Sequence, residues 1–264
     1  MTVLGAIFLP YLPPERLRPV AEAADRAGLE QLWLWEDCFR ESGIAPAAAV
    51  LAWTERLTVG IGLMPVPLRN VALTAMELAT VERMFPGRFL PGIGHGVLDW
   101  MGQVGVRAES PMTLLREYTT ALRQLLHGET VTTDGRYVHL DAVALDWPAS
   151  PPPPLYVGAI KPKTVTAGAE LSDGVIFTGD TQPAELRGSV DIARSAAVAA
   201  GRAALEIVVF VTVEGRPSAE VVAARVAEFV AAGATQVALQ PGDDALPAEE
   251  FVVFVAQEVR PLVP

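Results

Sequence analysis

Short apolar runs of strand length alternate with segments of helical spacing along nearly the whole chain of 264 residues. The predicted strands are residues 3–9, 30–35, 57–63, 88–94, 155–160, 173–178, 206–213 and 234–240. The predicted helices are residues 15–27, 45–54, 69–85, 111–126, 164–171, 183–200, 218–232 and 247–259. Eight such units without a linker predict a (β/α)₈ TIM barrel that forms one domain over residues 1–264, with an open doubly wound sheet as the alternative.

One stretch, approximately residues 97–154, breaks this alternation. It contains the helical pattern of residues 111–126, with leucines at helical spacing. Residues 129–146 follow, in which Asp134-Gly135 is a hairpin turn signal between two strand-like runs. We therefore predict an insertion of a helix and a small antiparallel pair between the fourth and fifth barrel strands.

Composition limits the classes of function. Cys38 is the only cysteine, which excludes an internal disulfide and any multi-cysteine metal site. A net charge of −11 opposes non-specific nucleic-acid binding. The amino terminus has no basic leader, and no apolar run reaches the roughly 18–20 residues of a membrane span. We expect a cytoplasmic protein with no nucleic-acid or membrane partner.

Residues 155–179 predict a strand, a glycine turn, a helix and a second strand. Gly158 and Pro162 mark the turn and the helix start, and Lys161 and Lys163 are the only lysines of the chain. Free N–H groups at a helix start attract anions. This turn is a candidate phosphate site, and two solvated surface lysines are the alternative.

In a TIM barrel the active site lies at the carboxyl ends of the strands. Few residues there can carry acid–base chemistry. Both lysines fall in the turn described above, which disfavours a Schiff-base enzyme, and the three histidines are not clustered as a metal site requires. We expect no metal, and we infer that a cofactor carries the reaction.

Three residues at strand ends are the candidate catalytic groups. Asp37 and Cys38 follow the second strand, and His95 lies between two glycines after the fourth. Asp37 could instead cap a helix, Cys38 could simply be packed, and His95 could be a turn residue. Glu36 is a further acid, unless it pairs with Arg69. A last set, Tyr11, Trp100 and Met101, is expected to wall the substrate pocket or to belong to the core.

The sequence resembles the luciferase-like flavin-dependent oxidoreductases, which include enzymes that use the deazaflavin coenzyme F-420. The resemblance spans nearly the whole chain. It rests on PLRNVALTAMELATVERMFPGRFLPGIGHGV, SPMTLLREYTTALRQLLHGETV, Gly135-Arg136-Tyr137 in the hairpin, and PLYVGAIKPKTVTAGAELSDGVIF. The second and fourth stretches together are fairly specific.

The resemblance implies a barrel that binds F-420 or FMN, with the phosphate at the loop after the fifth strand. It also implies a cis peptide bond between Gly62 and Leu63. Many members have an Asp-His pair where this chain has Asp37-Cys38, so the usual general acid or base is in question. The residues expected to contact the cofactor are Gly62, Leu63, Met64, Gly94, Gly96, Gly158, Ala159, Ile160, Lys161, Thr178 and Gly179.

The predicted function is hydride transfer between F-420, or alternatively FMN, and a small organic substrate. A monooxygenase of the bacterial luciferase type, supplied with reduced FMN by a separate reductase, is a second possibility. A catalytically silent flavin-binding barrel is a third, and a phosphate-sugar isomerase without a cofactor is a fourth. By analogy with the family, we expect a homodimer.

Overall fold

Eight strands of the described chain pair in parallel and close into a barrel in the order β1-β10-β9-β8-β7-β4-β3-β2. The structure is a computed structural model that describes residues 2–178, 181–202 and 204–263. The barrel strands are β1 (Val3–Ile7), β2 (Gln31–Leu34), β3 (Thr58–Pro65), β4 (Phe89–Gly94), β7 (Tyr156–Gly158), β8 (Gly174–Phe177), β9 (Glu206–Val213) and β10 (Gln236–Pro241). Closure confirms the predicted TIM barrel and excludes the open sheet.

Helices surround the barrel and leave each strand buried on both faces. They are α1 (Leu17–Ala27), α2 (Ile44–Trp53), α3 (Val71–Met84), α4 (Leu98–Gln103), α5 (Pro111–Leu126), α6 (Pro162–Leu171), α7 (Pro183–Ala199), α8 (Ala219–Ala231) and α9 (Ala248–Phe254). Burial on both faces explains why the strands read as continuous apolar runs rather than alternating ones. Among the described residues, no helix is long and apolar enough to cross a membrane.

Aromatic and aliphatic side chains together fill the barrel interior. Trp33 is fully buried there, and its ring packs edge-on against Tyr156 and Phe210, with ring centroids 6.1 and 5.5 Å away. A Cβ at Gly60 would lie 2.3 Å from the Trp33 ring, and one at Gly62 would lie 2.5 Å from Phe210. The alternating glycines of β3 therefore make room for large interior rings.

The segment between β4 and β7 is the predicted insertion. Its hairpin pairs β5 (Val131–Asp134) with β6 (His139–Val143). The Glu117 carboxylate of α5 accepts hydrogen bonds from the backbone N–H groups of residues 136, 137 and 138, at 2.9, 2.8 and 3.1 Å. The hairpin is thus fastened to α5.

Two local predictions need correction. Short helix α4 was not predicted, because six residues provide too little periodicity to detect. The last helix was predicted as one piece over residues 247–259, but α9 ends at Phe254 and residues Val255–Val259 form a π turn.

Candidate active site

A cavity of about 880 Å³ opens at the carboxyl ends of the barrel strands. Its walls come from the residues that follow β2, β3, β4, β7 and β8, together with α4 and the starts of α5 and α6. The residues that line it are Trp35, Glu36, Asp37, Gly62, Leu63, Pro65, His95, Gly96, Val97, Leu98, Trp100, Pro111, Met112, Gly158, Ala159, Ile160, Lys161, Pro162, Lys163, Thr164 and Thr178.

Most residues selected from the sequence meet in this cavity. Those that line it are Asp37, Gly62, Leu63, His95, Gly96, Gly158, Ala159, Ile160, Lys161 and Thr178. Three others, Cys38, Met64 and Gly94, are not among the lining residues. Gly179 lies outside the described residues. Of the three residues expected to wall the pocket, Trp100 does so, Met101 is buried, and Tyr11 is exposed elsewhere.

The end of β2 holds an ion pair beside the cavity. Glu36 accepts two hydrogen bonds from Arg69, at 2.5 and 2.9 Å, and one from the backbone N–H of Gly43 at 2.8 Å. The Glu36 side chain is only 5% exposed. Because these hydrogen bonds hold the Glu36 carboxylate in place, Asp37 is the acid at this strand end that can exchange a proton.

Asp37 lines the cavity and Cys38 does not, and burial makes both side chains less acidic. Burial raises the pKa of Asp37, and the charge of Arg40 opposes the shift in part. Burial, together with the charges of Glu36 and Asp37, also raises the pKa of the Cys38 thiol. The thiol therefore remains protonated. Separately, the peptide bond between Cys38 and Phe39 is cis.

The end of β3 has the cis peptide bond between Gly62 and Leu63 that the resemblance implied. The Leu63 side chain then lies against two glycines. A Cβ at Gly158 would be 2.1 Å from Leu63 Cδ2, and one at Gly94 would be 2.5 Å from the same atom. A side chain added at either glycine would therefore displace Leu63.

His95, after β4, is half-buried against α5 and α6. Its Nε2 atom is 3.4 Å from the hydroxyl of Thr164, which in turn donates to Met112 Sδ at 3.6 Å. Nδ1 is buried and makes no hydrogen bond with the described residues. Burial lowers the pKa of His95, while the backbone of Pro111 opposes the shift. The ring is therefore neutral at pH 7.

The turn after β7 presents backbone donors. The N–H groups of Ile160, Lys161 and Lys163 have no acceptor among the described residues. Ala159 is different, because its N–H donates to the Ile176 carbonyl at 2.9 Å. Of the donors predicted for the anion site, the N–H of Ala159 is therefore engaged in the sheet, and those of Ile160 and Lys161 stay available together with the N–H of Lys163, which was not predicted.

Several lining residues were missed at the level of sequence, including Trp35, Val97, Leu98, Met112 and Thr164. Thr164 could have been found, because it follows the lysine turn directly. Trp35 could also have been found, because it ends the predicted second strand. Val97, Leu98 and Met112 could not, since they reach the cavity only through the way in which α4 and α5 pack on the barrel.

The family of this chain follows from its similarity to known proteins. The family model described as luciferase-like monooxygenase matches residues 5–253. The chain belongs to the luciferase-like monooxygenase family. The match extends from β1 into α9, so it covers all eight barrel strands and the insertion.

Relatives of this luciferase-like chain include coenzyme-dependent enzymes. It is 28% identical over 204 residues to a 5,10-methylenetetrahydromethanopterin reductase of Methanolobus tindarius, covering 77% of this chain and 62% of the relative. It is 34% identical over 181 residues to an F-420-dependent glucose-6-phosphate dehydrogenase of Kineococcus radiotolerans, covering 62% of this chain and 52% of the relative. The alignments thus span about half to three-fifths of these curated relatives.

The fold of the luciferase-like chain also matches solved structures. An F-420-dependent secondary alcohol dehydrogenase in complex with an F-420–acetone adduct superimposes with a TM-score of 0.89. The match covers 100% of this chain and 99% of the other, at 17% sequence identity. At that identity the likeness concerns the fold alone.

Proposed function

We propose that this protein is an oxidoreductase that transfers a hydride between bound coenzyme F-420 and a small organic substrate. One observation carries the proposal. The cavity at the strand ends combines apolar walls, N–H groups at the start of α6 that have no acceptor among the described residues, and a half-buried neutral histidine. Family membership and the F-420-dependent relatives support it.

The residues present fit a deazaflavin or flavin. A volume of about 880 Å³ lies near the upper end of the range for ligand pockets, which leaves space for a ring and a substrate together. The cofactor phosphate would be bound by the N–H groups of Ile160, Lys161 and Lys163, with the two lysine side chains adding charge. Leu63 and the peptide bond before it would contact the ring.

When bound, F-420 supplies a centre that accepts or donates a hydride. The chain must handle the accompanying proton. The neutral imidazole of His95 is suited to take a proton from an alcohol at the ring nitrogen that carries no hydrogen, and the contact between its Nε2 and the Thr164 hydroxyl orients the ring. Asp37, whose pKa is raised by burial, is the second group able to exchange a proton in the cavity.

The proposal is tested by titrating the purified protein with F-420 and, separately, with FMN while recording visible absorption. We expect F-420 to bind and to be reduced or reoxidised on addition of substrate. His95→Gln should retain cofactor binding and lose at least tenfold in kcat. Tight FMN binding with oxygen-dependent turnover would instead identify a monooxygenase that depends on a separate reductase. Binding without any hydride transfer would identify a silent barrel.

We further propose that the protein is a homodimer whose subunits meet through α2 and α3. Helix α2 contains no charged residue, although Ala45, Ala52 and Trp53 are exposed. On α3, Leu73 and Met76 are 47% and 57% exposed. Successive helices with apolar outer faces are typical of a buried interface.

Light scattering after gel filtration tests the dimer. Met76→Glu should convert dimer to monomer, because it places a charge in an apolar contact. Val221→Glu, on the exposed face of α8, is the matched control and should leave the mass unchanged. A parent protein that is monomeric at micromolar concentration would contradict this proposal and leave the enzymatic one intact.

A further inference from the structure

The part of the cavity formed by α4 and α5 is unusually apolar for a surface that solvent reaches. Val97 and Leu98, at the start of α4, line it and are 46% and 41% exposed, and Ile160, in the turn before α6, also lines the cavity and is 71% exposed. Trp100 and Met112 extend the same wall. Exposed large apolar side chains gathered in one concave surface mark a ligand site, because their burial by a ligand is favourable.

Charge is scarce in the same cavity. Among the described residues that line it, the charged side chains are Glu36, Asp37, Lys161 and Lys163, and no arginine contributes. Glu36 is neutralised by Arg69. The two lysines flank the N–H groups that we assign to the cofactor phosphate. The substrate region is therefore left with Asp37 alone, whose charge repels anions.

We infer that the substrate is an uncharged molecule with a bulky apolar body, bearing one alcohol or ketone, and that phosphorylated and carboxylated substrates are rejected. This rests on the proposed function. In the oxidising direction the carbinol C–H bond breaks, and its hydrogen passes as a hydride to oxidised F-420. The hydroxyl proton would move to the imidazole of His95, at the ring nitrogen that carries no hydrogen, and a C=O double bond would form. Reduction of a ketone reverses each transfer.

Met112 is the residue that sets this preference most directly. Its sulfur accepts from the hydroxyl of Thr164, which also contacts His95. Met112 thus places an apolar, uncharged group next to the atoms that exchange the proton. A cation at this position would supply what the cavity lacks for binding an anion.

The test compares matched ketones with the protein saturated with reduced F-420. 2-Hexanone and 5-oxohexanoate differ by a terminal carboxylate, and 2-octanone extends the apolar chain. We expect kcat/KM to rise about threefold to fourfold for each added methylene that is buried. 5-Oxohexanoate should be at least tenfold poorer than 2-hexanone, and glucose 6-phosphate, assayed with oxidised F-420, should be at least tenfold poorer than 2-hexanol. Met112→Lys should reverse the order of 2-hexanone and 5-oxohexanoate, whereas Val104→Lys, on an exposed residue outside the cavity lining, should not.

A binding readout separates this inference from the proposed function. Trp35 and Trp100 line the cavity, so quenching of tryptophan fluorescence reports the affinity of each ketone without turnover. Trp100→Phe should remove part of that signal. If F-420 does not bind, the proposed function fails, and the fluorescence still ranks the ligands. If 5-oxohexanoate or glucose 6-phosphate binds or turns over better than 2-hexanone, or if no neutral ketone binds at 10 mM while F-420 does, the inference is overturned.

Discussion

The side chain of Leu63 explains two glycines that the sequence suggested for another purpose. Gly158 was selected as a close-approach residue for a phosphate. The structure shows that its missing Cβ leaves space for Leu63, which also lies against Gly94. The glycine thus shapes the cavity through Leu63, a residue of its wall.

Gly158→Ala should therefore weaken F-420 binding by pushing Leu63 into the cavity, since the new Cβ would lie 2.1 Å from Leu63 Cδ2. The double variant Gly158→Ala/Leu63→Ala should regain most of the affinity, measured by absorption titration. Gly188→Ala in α7, where the added Cβ meets nothing within 4 Å, is the control. If the double variant does not regain affinity for F-420, Gly158 would instead contact the cofactor phosphate directly.

The ion pair between Glu36 and Arg69 stabilises the end of β2. Arg69→Met leaves a carboxylate that is only 5% exposed without its cation, which should cost about 3–5 kcal/mol in the free energy of unfolding. Adding Glu36→Gln should restore most of this loss. Arg18→Met, which breaks an exposed pair with Glu22, should cost less than about 1 kcal/mol in the same urea experiment.

His95 should make stability depend on pH. Its folded-state pKa lies below the ordinary value of 6.5, so the unfolded chain takes up a proton first as the pH falls. The contribution is complete above about pH 6.5 and is lost between that value and the folded-state pKa. His95→Gln should therefore lose less unfolding free energy than the parent between pH 8 and pH 5.5. Equal losses in the two proteins would contradict a depressed pKa.

At the level of elements, the attachment of the hairpin to α5 depends on one carboxylate. Partial burial alone would raise the pKa of Glu117, but three backbone N–H donors outweigh it and lower the pKa. The contact thus stabilises the hairpin above the ordinary glutamate pKa and is lost as the pH falls through the folded-state value.

Glu117→Gln should accelerate hydrogen exchange of the amides of residues 136, 137 and 138 about fivefold at pH 7, because hydrogen bonds to a neutral acceptor are roughly half as strong. Exchange resolved by NMR or mass spectrometry measures this. Arg116→Gln is the control, since that neighbouring side chain pairs with Glu170 on α6. Exchange unchanged in Glu117→Gln would show that the hairpin is held by other contacts.

For the whole molecule, a buried polar network joins strands from different sides of the barrel. Gln31 of β2 donates to Gln236 of β10 at 3.0 Å, and Gln236 donates to the Tyr156 hydroxyl of β7 at 3.3 Å. Trp33 donates to Gln31 at 2.9 Å. Burial raises the pKa of Tyr156 to about 12, so its hydroxyl stays neutral.

Gln236→Leu should destabilise the barrel by about 1–3 kcal/mol, because buried groups lose a hydrogen-bond partner. Urea unfolding measures the loss, and F-420 affinity should not change, since the network does not line the cavity. Gln257→Leu on an exposed position should stay within about 0.5 kcal/mol of the parent. A similar loss of unfolding free energy in both variants would show that the buried network contributes no more to stability than an exposed glutamine does.

The local pattern of apolar residues in the sequence predicted much of the fold. Apolar runs bounded by proline and glycine predicted all eight barrel strands, with ends displaced by a few residues. Short α4 was missed, and the end of the last helix was misjudged, because both depend on packing more than on periodicity. The resemblance, rather than any spacing, indicated the bond between Gly62 and Leu63.

The sequence by itself determined the alternation of strands and helices, and hence the end of the barrel at which a site must lie, because the periods of strand and helix are local properties. Only the tertiary structure decided which candidates meet there. It engaged the N–H of Ala159 in the sheet, paired Glu36 with Arg69, and left Cys38 outside the lining. Such choices depend on strand register and on contacts between residues far apart in the chain, and no local pattern encodes them.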